Sequence, residues 1–174
     1  MASEATAIEA RPQRRQSAAT ADEGARRTSW LLCRAGTLLC AIPLEQVIEV
    51  LRILPIETVS GAPRYVRGLC IIRGAAAPVV DIGLLVGGQP AEWERLVAIR
   101  TGSRIIVLAT ETVLGIRAIG AEVFKELPPL LRDAARQTIA AIGTLDAELL
   151  FFLRTTLIVP QELLDRLEAD GASS

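Results

Sequence analysis

The sequence predicts a mainly all-β fold, an antiparallel barrel or sandwich with a few short helices. From Trp30 onward, short apolar runs alternate with tight-turn residues, and roughly ten such runs follow one another at ordinary strand length. Hydrophobic residues make up 51% of the 174 residues but aromatic residues only 3%, so the core is expected to consist of Val, Ile, Leu and Ala. Periodicity leaves open whether the strands form one barrel or two small barrels packed together.

The first predicted element is a β-hairpin around Gly36-Thr37, because apolar runs flank a residue pair that favours tight turns. Cys33 and Cys40 then face each other across the two strands. Cross-strand proximity does not make a disulfide, and thiols in a cytosolic chain are normally reduced. The expectation is therefore two buried free thiols.

The next segment, Pro43–Leu51, is predicted to be a helix with one buried face. Its apolar residues have the spacing i, i+3, i+4 and i+7, and Pro43 suits a first helical turn. The residues on that face are Leu44, Val47, Ile48 and Leu51. The run Ile53–Val59 contains a proline and is expected to be a short extended segment at a sheet edge.

Arg73-Gly74 marks a second hairpin, and Asp81 is expected to cap a short helical turn that begins at Ile82. Arg73 is the only charged residue between Leu69 and Val80. A guanidinium group is not buried without a partner. The pattern alone does not decide between an ordinary solvent-facing turn residue and an exposed contact residue.

The second half of the chain repeats this style with two further hairpins and a closing helix. Residues 122–136, which contain Pro128-Pro129, are expected to be irregular. The predicted elements are a hairpin around Thr101–Ser103, a strand at Val113–Ile116, a hairpin around Asp146–Glu148, a last strand at Thr155–Val159 and a helix at Pro160–Leu167.

Composition excludes several classes of function. Nineteen basic and 20 acidic residues nearly cancel, so the chain offers no basic field for nucleic acid. The absence of histidine excludes Ser-His-Asp and Cys-His catalysis and a Cys/His zinc site, and we expect no catalytic residue, metal or other cofactor. No apolar run is long enough to span a bilayer, and no secretory signal is evident, so a cytoplasmic location is expected.

Several motifs make the chain resemble the CheW-like domain family. They are Ala41–Leu44, Val47–Val50, Pro63–Gly68, and Arg73-Gly74 followed by Pro78–Ile82, in the order that the family has. The resemblance implies two SH3-like five-stranded β-barrels packed together, with short helices and a C-terminal helix. The resemblance places the CheW-like domain at 30–168. The composition of residues 1–29 predicts a disordered leader, and residues 169–174 are expected to be a flexible tail.

The function implied by this resemblance is that of a non-enzymatic adaptor in chemotaxis-type signalling. The partners implied are a chemoreceptor cytoplasmic tip and the regulatory domain of a CheA-type histidine kinase. Carried over by position, Leu44, Val47, Glu49 and Arg73 face the receptor, and Ala76 faces the kinase. From pattern alone, Leu44 and Val47 are equally well explained as core residues.

The chain departs from the family pattern at three positions. Ile71 stands where the family usually has Asn, Gly83 where it often has Arg, and Ile119 where it has Asp. A divergent adaptor or inhibitory decoy that binds only one partner is therefore an alternative. A small β-barrel that binds a ligand or acts on a substrate is the alternative from another class, and it requires a large pocket.

Overall fold

The computed structural model contains two five-stranded β-barrels that share a common apolar core. It describes residues 27–90, 92–129, 138–159, 162 and 164–165. β1 begins at Arg27, inside the range expected for the leader, and the earlier part of that range lies outside the described residues, as does the tail. Most of the predicted closing helix at 160–167 also lies outside them.

The first barrel is a sheet in the order β8-β1-β2-β10-β9, and the second barrel is a sheet in the order β3-β6-β7-β5-β4. The strands of the first barrel are β1 (Arg27–Ala35), β2 (Leu38–Pro43), β8 (Thr112–Gly120), β9 (Ile139–Leu145) and β10 (Glu148–Leu153). The strands of the second barrel are β3 (Val47–Leu51), β4 (Val66–Ile72), β5 (Ala75–Asp81), β6 (Arg95–Thr101) and β7 (Arg104–Thr110). A short helix, α1 (Ile82–Leu85), and 3₁₀ turns at Leu44–Gln46, Ala121–Val123 and Thr155–Leu157 complete the described elements.

The two barrels have the same topology, and each half of the chain contributes to both. The hairpin β1–β2 belongs to the first barrel, after which β3, β4 and β5 enter the second barrel. The hairpin β6–β7 belongs to the second barrel, after which β8, β9 and β10 return to the first. In each barrel the second hairpin strand pairs in parallel with the last strand, β2 with β10 and β7 with β5. Each half of the chain therefore contributes strands to both barrels, and neither barrel can form from one half alone.

This internal repeat is visible in the sequence once the strands are matched. Gly36 and Gly102 occupy equivalent turn positions with φ of +60° and +61°. The strands β3 and β8 each carry a bulge where they pair with β6 and β1. The turns Arg73-Gly74 and Asp146-Ala147 are also equivalent, and all four of these residues have positive φ, as in the tight turns that join hairpin strands.

Each barrel closes by a backbone bridge just beyond one of its edge strands, β3 or β8. After β3, Glu57 exchanges two backbone hydrogen bonds of 2.8 Å with Leu69 of β4. After β8, Lys125 pairs in the same way with Ile142 of β9. Within the run Ile53–Val59, which was expected to be extended, Glu57 is the residue that pairs with a strand.

Three apolar clusters hold the structure together. One fills the inside of the first barrel and includes Trp30 and Phe152, and another fills the second barrel. The inter-barrel core lies between them, where the outer faces of β1–β2 and β6–β7 meet through residues such as Ile42, Ile99 and Leu108. Each fully buried aliphatic side chain contributes about 1.5–3 kcal/mol. The inter-barrel core therefore fixes the two barrels relative to one another.

Two predicted elements are wrong. The segment Pro43–Leu51 is a 3₁₀ turn followed by strand β3, because the short apolar spacing fits a half-buried strand as well as a helix and its β-branched residues favour the strand. The predicted last strand at Thr155–Val159 begins as a 3₁₀ turn. The Thr155 hydroxyl donates to the Gln46 side chain, and Ile158 and Val159 are buried in the inter-barrel core.

Candidate protein-contact surface

The centre of the candidate surface is an ion pair between Arg73 and Glu49. Arg73 lies in the turn between β4 and β5 with φ of +53°, and its Nε donates to Glu49 Oε1 at 2.9 Å. The Arg73 side chain is 63% exposed and the Glu49 side chain 31% exposed. β3 and β4 are opposite edges of the second barrel's sheet, so the pair adds a side-chain link where the backbone closes the barrel through the Glu57–Leu69 bridge.

The ion pair contributes little to folding, because exposed pairs are typically worth about 0–1 kcal/mol. Its exposure leaves the charged groups accessible from solvent. The structure thereby places Arg73 at the surface, with a partner that the sequence did not predict. This exposed position agrees both with an ordinary solvent-facing turn residue and with a contact residue, the two interpretations that the sequence left open.

Leu44 and Val47 lie on the same continuous segment as Glu49, and all three are half-buried. Leu44 and Val47 pack against the inter-barrel core, so part of each side chain is structural. The set expected at the receptor is Leu44, Val47, Glu49 and Arg73. Of these, the structure brings Glu49 and Arg73 into contact, whereas Leu44 and Val47 lie on the segment that leads to Glu49.

Ala76 lies on the same hairpin as Arg73 but in strand β5, where it is exposed. Its partner across the strands is Ile71 of β4, which the sequence analysis did not assign to a site. Ile71 is 64% exposed. The sequence run Leu69–Ile72 is apolar at every position, so it gave no signal that Ile71 would be the exposed one.

Asp81, the isolated carboxylate of the sequence, has a structural role. It is fully buried, and its Oδ1 accepts from the backbone N–H of Leu84 at 3.1 Å, as predicted for a cap of α1. Its Oδ2 accepts from Trp93 Nε1 at 3.1 Å. Arg67 lies over the Trp93 ring at 5.1 Å, so the connection between the two halves is fixed to the second barrel.

The cysteines are buried free thiols, as expected, and Cys33 and Cys40 are directly opposite each other in the β1–β2 register. Burial raises the pKa of Cys33 to about 12, and burial also raises the pKa of Cys40. Since the thiolate is the reactive form, these groups are poor nucleophiles.

Within the described residues, no group of three or more Cys, Asp or Glu side chains is arranged to hold a metal ion. The first barrel has a cleft of about 150 Å³ between β8 and the β9–β10 turn, lined by Leu114, Gly115 and Asp146 among others. Ligand pockets usually measure about 300–1,000 Å³. A groove of about 550 Å³ beside Leu38 and Leu149 lies on the outer surface. The cleft is therefore smaller than a usual ligand pocket, whereas the groove has the volume of one but is open to solvent.

No helix in the described part of the chain combines the length and the apolar character that crossing a membrane requires.

Comparison with known proteins identifies the family. The model of the CheW-like domain matches residues 29–162. Protein FrzA from Myxococcus xanthus is 32% identical over 113 residues, which cover 63% of this chain and 69% of that protein. A probable chemotaxis protein CheW from Rhizobium etli is 22% identical over 142 residues, which cover 80% of this chain and 88% of that protein.

A solved structure shows the same fold. The scaffolding protein TtCheW from Thermoanaerobacter tengcongensis aligns with a TM-score of 0.67 at 16% sequence identity, over 76% of this chain and 92% of that chain. This likeness confirms the expected fold of two SH3-like barrels.

Proposed function

Because this chain belongs to the CheW-like domain family, whose members are non-enzymatic scaffold proteins of chemotaxis-type signalling, we propose that it couples a chemoreceptor to a kinase. The receptor contact is the cytoplasmic tip, and the kinase contact is the regulatory domain of a CheA-type histidine kinase. The chain carries out no catalysis and needs no cofactor for this role. It acts in the cytoplasm and is recruited to membrane receptor arrays through its partners.

The observation that carries the proposal is the exposed Arg73–Glu49 ion pair. It joins the turn between β4 and β5 to the segment that also holds Leu44 and Val47, so two segments distant in sequence are linked, one of which carries half-buried apolar residues beside its charged residue. Such a combination suits a helical tip, whose apolar residues bind the half-buried leucine and valine. Charged groups beside them select the partner and its orientation.

The proposed kinase contact at Ala76 is apolar and lies on the outer face of β5. A small apolar residue on a strand lets another β-barrel approach the backbone closely at that position. The centres of protein interfaces are depleted in charged residues. The two contacts therefore differ in chemistry, although they lie on one hairpin.

The test is capture of a receptor hairpin fragment and of a kinase regulatory domain by the full chain, measured separately and together. Arg73→Glu should weaken receptor capture by about 2 kcal/mol, as for a contact arginine, and leave kinase capture unchanged. Arg117→Glu is the matched control, because Arg117 is an exposed arginine on β8 of the other barrel. Capture of neither partner by the unaltered chain would contradict the adaptor function.

The alternative within the same class is a decoy that binds a single partner. It differs from the adaptor in one result: the decoy captures the receptor or the kinase, but forms no ternary complex. The ternary measurement therefore distinguishes the two functions directly.

A further inference from the structure

Ile71 has the largest exposed fraction of any large apolar side chain in the described part of the chain. It is 64% exposed in strand β4, although the residues on either side of it, Cys70 and Ile72, are buried in the second barrel. The alternation means that β4 turns one face inward and the other outward. Ile71 stands on the outward face.

The register shows what surrounds Ile71 on that face. Ile71 lies directly opposite Ala76 of β5, and directly opposed residues of antiparallel strands point to the same side. Ala76 is exposed and too small to cover its neighbour. The isoleucine side chain therefore projects beyond the alanine.

The face of β4 that carries Ile71 is continuous with the inter-barrel core. Two positions earlier, Leu69 lies opposite Pro78, and Leu69 packs against the inter-barrel core. Ile71 and Ala76 thus extend the apolar surface of that core outward to solvent. The Arg73–Glu49 pair lies at the turn beyond them and bounds this apolar surface with charge.

We propose that Ile71 is a specificity-determining contact of the surface around Ala76, and that the kinase regulatory domain presents an apolar recess to it. This inference rests on the proposed function. A polar partner surface would have to bury its donors and acceptors against Ile71 and Ala76 without hydrogen bonds, which is costly. An apolar recess instead removes the exposed isoleucine from water, and selects kinases that have such a recess over those that do not.

The test compares Ile71→Thr with Ile116→Thr in the full chain. Threonine keeps the β-branched shape that suits a strand but replaces the ethyl arm of isoleucine by a hydroxyl group. Ile116 is the matched control because it is 58% exposed and lies on β8 of the other barrel. Affinity for the kinase regulatory domain and for the receptor hairpin is measured for each variant, and thermal unfolding checks that both remain folded.

The expected result is that Ile71→Thr weakens kinase binding about tenfold and receptor binding less than about twofold, while Ile116→Thr changes both less than about twofold. Equal kinase affinities of Ile71→Thr and the unaltered chain would overturn the inference and leave the adaptor function intact. A loss of receptor binding instead, or an equal kinase loss in Ile116→Thr, would also overturn it. If the unaltered chain binds neither partner, the proposed function itself fails.

Discussion

Exchanging the charges of Glu49 and Arg73 separates stabilisation of the barrel from recognition of a partner. Three variants are compared with the unaltered chain: Arg73→Glu, Glu49→Arg, and the double variant that carries both changes. The single variants place like charges side by side, whereas the double variant restores an ion pair with its polarity reversed. Glutamate at position 73 adopts the positive φ no less easily than arginine, since both have a Cβ.

The expected loss of stability is small because the pair is exposed. Side chains that are 63% and 31% exposed form a pair worth about 0.2–1 kcal/mol, and replacing the attraction by repulsion adds a similar amount. A loss of about 1 kcal/mol lowers the Tm of a domain of this size by roughly 2–4 °C. Receptor capture by Arg73→Glu should fall by about 2 kcal/mol, or about thirtyfold.

The double variant distinguishes the two roles. We expect its Tm to return to within about 2 °C of the unaltered chain, because an exposed ion pair is re-formed. Receptor capture should stay at least about tenfold weaker, since the receptor then meets each charge in the wrong place. If the double variant recovers capture as well as Tm, the pair acts through the fold and not as a contact. A fall of more than about 8 °C for Arg73→Glu alone would likewise show a structural residue.

Four further variants test the structure itself. Gly68→Ala should destabilise the fold by about 3 kcal/mol, because φ is +145° and the Cβ would lie 2.1 Å from the carbonyl oxygen of Glu57. Gly36→Ala, at φ +60° in open space, should cost about 1 kcal/mol in urea denaturation, and equal losses for the two variants would contradict the close approach at Gly68. Ala147→Gly should raise Tm. Glycine removes the strain that alanine has at a φ of +66°, and this gain should exceed the entropy that the unfolded chain gains from the glycine. A lower Tm would contradict this expectation. Because the pKa of Cys33 is raised from 9.0 to about 12, the unfolded state loses the thiol proton first, so the free energy of unfolding should fall as pH rises from about 9 toward 12. Cys33→Ala should flatten that fall in urea denaturation, and an unchanged slope would contradict the burial of the thiol.

The hairpins could be predicted from sequence because turn chemistry is local. Gly36-Thr37 and Arg73-Gly74 join strands in the expected places, and the two later hairpins are also confirmed. The Pro43–Leu51 prediction is wrong, because nine residues with both helical spacing and β-branched side chains carry two conflicting signals. The exchange of strands between barrels depends on parallel pairings between distant segments, which no local pattern encodes.

For the candidate surface, sequence indicated the residue types but not their neighbours. Arg73 was expected to be exposed, either as an ordinary turn residue or as a contact residue, and it is exposed and also paired with Glu49. Its pairing with Glu49 follows from barrel closure between β3 and β4, which periodicity could not predict. Ile71 was noticed only as a departure from a family pattern, and its exposure became evident when the register set it opposite Ala76. The internal repeat is present in the sequence, since Gly36 and Gly102 are equivalent turn residues. Their equivalence can be recognised only when the order of the strands in the two sheets is known.

The position of both proposed contacts on the β4–β5 hairpin bears on how a rigid adaptor could hold a receptor and a kinase in a fixed arrangement. Arg73 lies at the turn, and Ala76 follows it in β5 on a face that continues into the inter-barrel core. That core joins two barrels that each contain strands from both halves of the chain, so the hairpin is fixed to the whole molecule. If the proposed contacts hold, a receptor tip bound at Arg73 would be fixed in distance and angle relative to a kinase domain bound at Ile71 and Ala76. Changes at a single contact side chain should affect one partner, whereas damage to the hairpin should weaken both together. The pattern of losses across the Arg73 and Ile71 variants is therefore a direct measure of whether the hairpin acts as a rigid joint.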